Sequence, residues 1–182
     1  VLDIASSCGF DIPPLPTEQR KEAERVIGPI VGDGNPLDAW GNGDYATNMP
    51  HALKVLDQTP SADVIVFCSD SSDNQPMGRA ERLLDYARLF AAASDASTKP
   101  HYLMNTRPGV MNREQVDFLR QHGIATIGGS RQGLGAIDRL ARFLQPGPLA
   151  RTVTKSSGPG IATLLQGAPR RTINEFDAKR LL

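Results

Sequence analysis

Cysteine is scarce in this chain: Cys8 and Cys68 are the only two among 182 residues, far apart and in neither a C-x-x-C nor a metal-ligand spacing. That excludes a short disulfide scaffold, and both read as buried thiols of a reducing compartment, the cytoplasm by default. Net charge is lacking too. Twenty Lys and Arg offset twenty Asp and Glu, so no overall field recommends nucleic acid or an anionic membrane as a partner. No apolar run reaches the roughly 18 residues that a membrane span needs, and the first residues have neither the basic start nor the apolar core of a signal peptide. Histidine occurs three times. His51 and His101 follow prolines at the starts of elements and His122 precedes Gly123 at a helix end, so each reads as structural. None has a serine, cysteine or paired carboxylate at triad spacing, nor an H-x-x-x-H or H-E-x-x-H metal pattern.

What is present, 40% hydrophobic and 22% charged residues, suffices for one globular domain with some length left over. Three short apolar runs, Val64 to Cys68, Tyr102 to Met104 and Ile124 to Ile127, predict buried strands. Between and after them, apolar residues recur at helical spacing. Leu83, Leu84, Ala87, Leu89 and Phe90 mark one helix, Val116, Phe118 and Leu119 another, and Leu134, Ile137, Leu140, Ala141 and Leu144 a third that must stop before Pro146. Strand–helix alternation implies parallel strands joined by right-handed crossovers, with helices on both faces.

Upstream, Leu2 to Ser7 reads as a helix end closed by Gly9, and Thr17 as the N-cap of a helix over Glu18 to Ile27. The turn-rich stretch Gly28 to Asp38 has room for a short strand. Asp44 is expected to cap the next helix, with Pro50 at or beyond its first turn, where its missing N–H costs least if that helix begins nearer Asn48. The order predicts an α/β, flavodoxin-like doubly wound parallel sheet that lacks its first strand in this chain, over residues 1–146. That strand is expected ahead of Val1. Residues 147–171 read as a Pro/Gly-rich linker too poor in apolar surface to form a core. In 172–182, Thr172-Ile173-Asn174-Glu175 is a capping-box pattern that opens a helix. Both ends therefore read as cut from a longer chain. The charge is uneven: residues 147–182 hold six basic and two acidic residues, which leaves the first 146 acidic.

Candidate ligand contacts lie in loops at the carboxyl ends of the predicted strands, the edge where open α/β sheets bind. The loop from Ser69 and Asp70 to Pro76 is dense in hydroxyls and carboxylates, and the loop after the next strand offers Arg107, whose forked guanidinium suits phosphate or carboxylate. A hydrated, flexible surface loop accounts for the first of these slightly better than a binding site does. Gly128-Gly129-Ser130-Arg131-Gln132-Gly133 opens a helix with free N–H groups, yet is neither a Walker loop nor G-x-G-x-x-G, and a plain strand-to-helix turn explains it. In Gly34-Asn35-Pro36-Leu37-Asp38-Ala39-Trp40-Gly41, Asn35 and Asp38 flank a proline turn, and local backbone bonding alone would account for them. Trp40, the single tryptophan, reads as a core or interface anchor.

Asn35-Pro36-Leu37-Asp38, followed by Gly41, the acidic helix start at Asp44 and Ala62-Asp63-Val64-Ile65-Val66, resembles the NDP-forming acyl-CoA synthetases, relatives of ADP-forming acetyl-CoA synthetase and succinyl-CoA synthetase. Leu2 to Gly9 and Leu15-Pro16 look like the first helix of that family's flavodoxin-like ligase domain and its exit. Ile173 to Leu182 is similar to the first helix of the ATP-grasp domain that follows it in single-chain members. The resemblance spans nearly the whole sequence and rests on the order of several short motifs. It implies a reaction in which a carboxylic acid, CoA and ATP give acyl-CoA, ADP and phosphate through an acyl phosphate and a phosphohistidine.

The family's phosphohistidine lies outside this fragment, and so do its CoA-binding segment and most of its ATP-grasp fold. ATP, CoA and magnesium are therefore expected only in the intact enzyme, and the fragment is expected to be inactive alone. Its expected partners are the CoA-binding and ATP-grasp domains and a small carboxylic acid, with no nucleic acid or membrane; homo-oligomeric assembly is left open. Asn35 and Asp38 carry over as motif positions that shape a loop beside the phosphohistidine, whereas Ser69, Asp70 and Arg107 carry over only by lying on the binding edge. The competing expectation is a non-catalytic flavodoxin-like binding or subunit-interaction module.

Overall fold

A computed structural model describes residues 1–40, 43–74 and 79–144. They belong to one of two compact units, Val1–Gln145, the other being Pro146–Leu182. The expected linker and capping-box helix lie outside the described residues. Three strands, β1 (Ile65–Ser69), β2 (His101–Asn105) and β3 (Ala125–Gly128), form an all-parallel sheet in the order β1-β2-β3. Among the described residues no helix is long and apolar enough to cross a membrane.

Helices cover both faces because successive strand residues point to opposite sides. Ile65, Phe67 and Leu103 pack into a large core with α2 (Thr17–Ile27), α3 (Tyr45–Asp57), α4 (Arg79–Asp95) and α5 (Arg113–Gln121). Val66, Cys68 and Met104 face a smaller cluster with Ala5 of α1 (Leu2–Ser7) and Leu134 of α6 (Ser130–Leu144). The alternation read from the sequence as strand–helix–strand–helix is thus built as an α/β/α arrangement.

Helix ends follow local chemistry. After α1, Gly9 takes φ +73, so its N–H reaches the Ser6 carbonyl and the N–H of Phe10 reaches that of Ala5, a Schellman closure. The Asp44 carboxylate accepts the N–H of Thr47 at 3.3 Å, as expected of an N-cap. Thr17, expected as a cap, is instead the first residue of α2, with Pro16 at the N-cap.

Two further expectations are corrected. Helix α3 starts at Tyr45 rather than near Asn48, which puts Pro50 inside it, beyond its first turn. Pro50 and Ala46, whose carbonyl loses its intrahelical donor, are both exposed, so that carbonyl is open to solvent. The short strand expected within Gly28 to Asp38 does not form. That stretch is irregular, with a turn at Gly32-Asp33 and bends at Gly34 and Pro36, and Val31 is 93% exposed. An extended segment becomes a strand only with a neighbour for its hydrogen bonds, and no strand among the described residues pairs with this one.

The contact between α6 and the sheet depends on the absence of a side chain at Gly133. A Cβ there would lie 2.8 Å from Sδ of fully buried Met104. Gly133→Ala is therefore expected to destabilise the fold by about 1–3 kcal/mol through overpacking. At Gly135, where a Cβ meets nothing within 4 Å, alanine is expected to stabilise the helix by roughly 0.5–1 kcal/mol. Urea midpoints of the two variants should move in opposite directions; equal shifts would contradict this packing.

Candidate binding edge and β1 groove

Among the described residues the sheet is unpartnered at both edges, beside β1 and beside β3, and the β1 edge is the one that borders a groove. The Ile65 N–H donates to the Pro100 carbonyl, and the Ser69 carbonyl accepts from the Thr106 N–H, both at 3.0 Å. Odd-numbered residues of β1 therefore direct their backbone groups at β2, and Val66 and Cys68 direct theirs the other way. No strand among the described residues pairs with them. Along this edge runs a groove of about 470 Å³, walled by Val66, Cys68, Leu134 and Ile137, and bordered by Val1 and by the Asn35-Pro36 turn.

Asn35 holds that turn in place. Its Nδ2 donates to the Pro13 carbonyl at 2.9 Å across 22 residues of sequence, and the Asn35–Pro36 peptide is cis. Asp38 acts locally: its Oδ1 accepts the N–H of Trp40 at 2.9 Å. The two motif residues thus have different tasks, one fixing the turn beside the groove and the other orienting the segment that carries the tryptophan.

The other three candidates lie on the carboxyl edge of the sheet. Ser69 ends β1, Asp70 follows it, and Arg107 lies in the loop after β2. Arg107 Nε is 3.8 Å from Asp70 Oδ2, and Asp70 Oδ1 accepts from both the N–H and the hydroxyl of Ser72. Arg107 is mostly exposed, so this pair adds little stability. The carbonyl of Ser71 accepts from the Asn112 N–H, and fully buried Asn105 accepts the Ser71 N–H on its Oδ1. The loop after β1 is tied to the end of β2 by these bonds.

Ser69 and Asp70, with Trp40, Arg79, Arg82 and Tyr86, border a second cavity of about 360 Å³ on this edge. The last four were not among the sequence candidates. The signal for them was the i, i+3, i+7 spacing of Arg79, Arg82 and Tyr86 on one helical face. In the glycine-rich turn, Gly129 donates its N–H to the Asn105 carbonyl and Ser130 its hydroxyl to the Thr106 carbonyl, which fits a strand-to-helix turn.

Each histidine has a structural contact: His51 Nε2 with the Glu22 carbonyl at 2.9 Å, His101 Nδ1 with the Lys99 carbonyl at 2.8 Å, and His122 Nδ1 with Asp95 at 3.2 Å. No group of three His, Cys, Asp or Glu side chains among the described residues is placed to hold a metal ion.

Burial pushes the Cys68 thiol up, with the α-ammonium of Val1 pulling the other way. A raised thiol binds its proton more tightly when folded. Its contribution to stability is present below the ordinary cysteine range and is lost as pH rises through the raised value. Alkylation of Cys68 at pH 8 is expected to be slower in the folded chain than in denaturant, read by iodoacetamide labelling and peptide mass analysis. Equal rates would contradict the burial.

No protein-family model matches the chain, and no curated protein matches it.

Proposed function

We propose that this chain is the flavodoxin-like ligase domain of an NDP-forming acyl-CoA synthetase, leading through a linker at 147–171 into the first helix of an ATP-grasp domain at 172–182. The intact enzyme would join a carboxylic acid to CoA at the expense of ATP, in the cytoplasm, through an acyl phosphate and a phosphohistidine outside this fragment. The observation that carries the reading is the groove along the free edge of β1, bordered by Val1 and by the Asn35-Pro36 turn of the family-like motif. A flavodoxin-type order puts its first strand in the middle of the sheet. A parallel strand leading into Val1 would pair with Val66 and Cys68 and cover Leu134 and Ile137.

On this reading Asn35 and Asp38 shape the turn at the groove, while Ser69, Asp70 and Arg107 belong to the edge that meets neighbouring domains. On this reading the metal and the nucleotide belong with the ATP-grasp domain. The three histidines, each in a structural contact, agree with a phosphohistidine located elsewhere. The competing reading, a non-catalytic binding module, draws support from the cavity beside Trp40, which needs no ATP turnover to be useful.

Acyl-CoA formation separates the two. A longer chain that includes CoA-binding and ATP-grasp segments is expected to form acyl-CoA with release of ADP and phosphate, and residues 1–182 alone are expected to do neither. Turnover by the 182-residue chain, or none by the longer one, would overturn the proposal.

A further inference from the structure

The cavity at the carboxyl edge of β1 combines features that a surface loop does not need. Its aromatic wall is already ordered. Trp40 stacks on Phe67 with ring centres 6.2 Å apart and planes 5° from parallel, and the edge of Tyr86 meets it at 5.3 Å. Tyr86 is itself held at 4.9 Å by Tyr45. Yet Trp40 remains 38% exposed, so an apolar ring surface is fixed in place but not covered.

Charge supplies the second feature. Arg79 and Arg82 sit one turn apart on α4, both exposed and both bordering the cavity. Neither makes an ion pair or a side-chain hydrogen bond among the described residues. Other arginines of the chain are engaged, Arg88 with Asp85 and Arg20 with Glu24 for example. The carboxylate at the cavity, Asp70, has its oxygens turned to Ser72 and Arg107. Among the described residues the two guanidiniums at the cavity therefore make no ion pair, although Asp70 borders the same cavity.

We infer that this cavity is a binding site for a small planar organic anion, an aromatic carboxylate, with its ring against Trp40 and Tyr86 and its carboxylate held by Arg79 and Arg82. About 360 Å³ falls in the usual range for small-ligand sites and accommodates one ring with substituents. The guanidinium fork matches a carboxylate bidentately. A preformed aromatic wall lowers the ordering cost of binding. The site does not rest on the ligase reading and stands with either function.

Because Trp40 is the single tryptophan, its emission reports on this cavity alone. Titrating the 182-residue chain with benzoate is expected to give a saturable change in Trp40 emission, with acetate giving none. The double variant R79Q/R82Q is expected to weaken benzoate binding at least about tenfold, the scale of a lost charged hydrogen bond. R88Q, on the same helix but paired with Asp85, should leave it unchanged. Far-UV circular dichroism establishes that each variant is folded, and both target arginines are exposed, so folding should survive. The inference is overturned by the absence of a saturable change in folded chain, by undiminished binding in R79Q/R82Q, or by inorganic phosphate competing as well as benzoate does.

Discussion

Replacing Phe90 by alanine is expected to cost the fold about 3–5 kcal/mol, the range for deleting a fully buried aromatic side chain. Phe90 is 0% exposed and lies between Phe67, at 5.4 Å, and His101, at 5.3 Å. It is the middle of a ladder of rings that runs from Trp40 through Phe67 to His101. The cavity left behind would be filled only in part, because α4 is held against α3 and α5 by its other buried residues, Leu83, Ala87 and Ala91. A second consequence distinguishes this from generic core damage: Phe67 loses support on one side and the Trp40 ring above it should become more mobile. Urea unfolding followed by Trp40 emission reads both effects, and a loss below about 1 kcal/mol would contradict the central place given to Phe90.

The second large effect is expected at Leu134, which is 2% exposed on α6 and, with Ala5 and Met104, makes up the fully buried part of the smaller core. Leu134→Ala should cost about 2–5 kcal/mol. Few other residues hold this layer to the sheet, so the loss falls on the docking of α1 and α6. Amides of both helices should exchange faster while those of β2 keep their protection. Trp40 emission, which reports on the opposite face, should barely change. Equal acceleration at every amide would mean that the two faces of the sheet are not separable in this way.

The three strands were legible because each is short, β-branched or aromatic, and followed by a helix whose apolar positions recur at 3.6 residues, but β3, expected to be buried, has no buried residue, since it lies at an edge of the sheet. The helices over α4, α5 and α6 were legible for the same reason, and Gly9 and Asp44 gave two of the ends. The start of α3 was misplaced because Pro50 argued for a helix beginning near Asn48, whereas the Asp44 cap and the packing of Met49, Ala52 and Val55 start it at Tyr45 and leave the proline inside. Ile30-Val31-Gly32 has strand chemistry, but pairing depends on a neighbour that local sequence does not supply. Among the candidate residues, Asp70 and Arg107 lie within reach of each other because parallel strands end on one edge, a consequence of topology that the strand pattern already implied. Trp40, by contrast, read only as an anchor. Its membership of a cavity with Arg79 and Arg82 depends on tertiary contacts between the loop at 35–40 and α4, some forty residues apart in sequence.

Amide hydrogen exchange measures the free edge of β1 residue by residue. In the 182-residue chain, Val66 and Cys68 are expected to exchange at least about a hundredfold faster than Ile65 and Phe67, whose N–H groups are bonded to β2. Joining a five-residue β-branched segment ahead of Val1 through a glycine turn is expected to slow Val66 and Cys68 toward the rate of their neighbours. Protection of Val66 and Cys68 equal to that of Ile65 and Phe67 in the chain alone would contradict an open edge. Unchanged exchange after the extension would contradict a groove shaped for a strand.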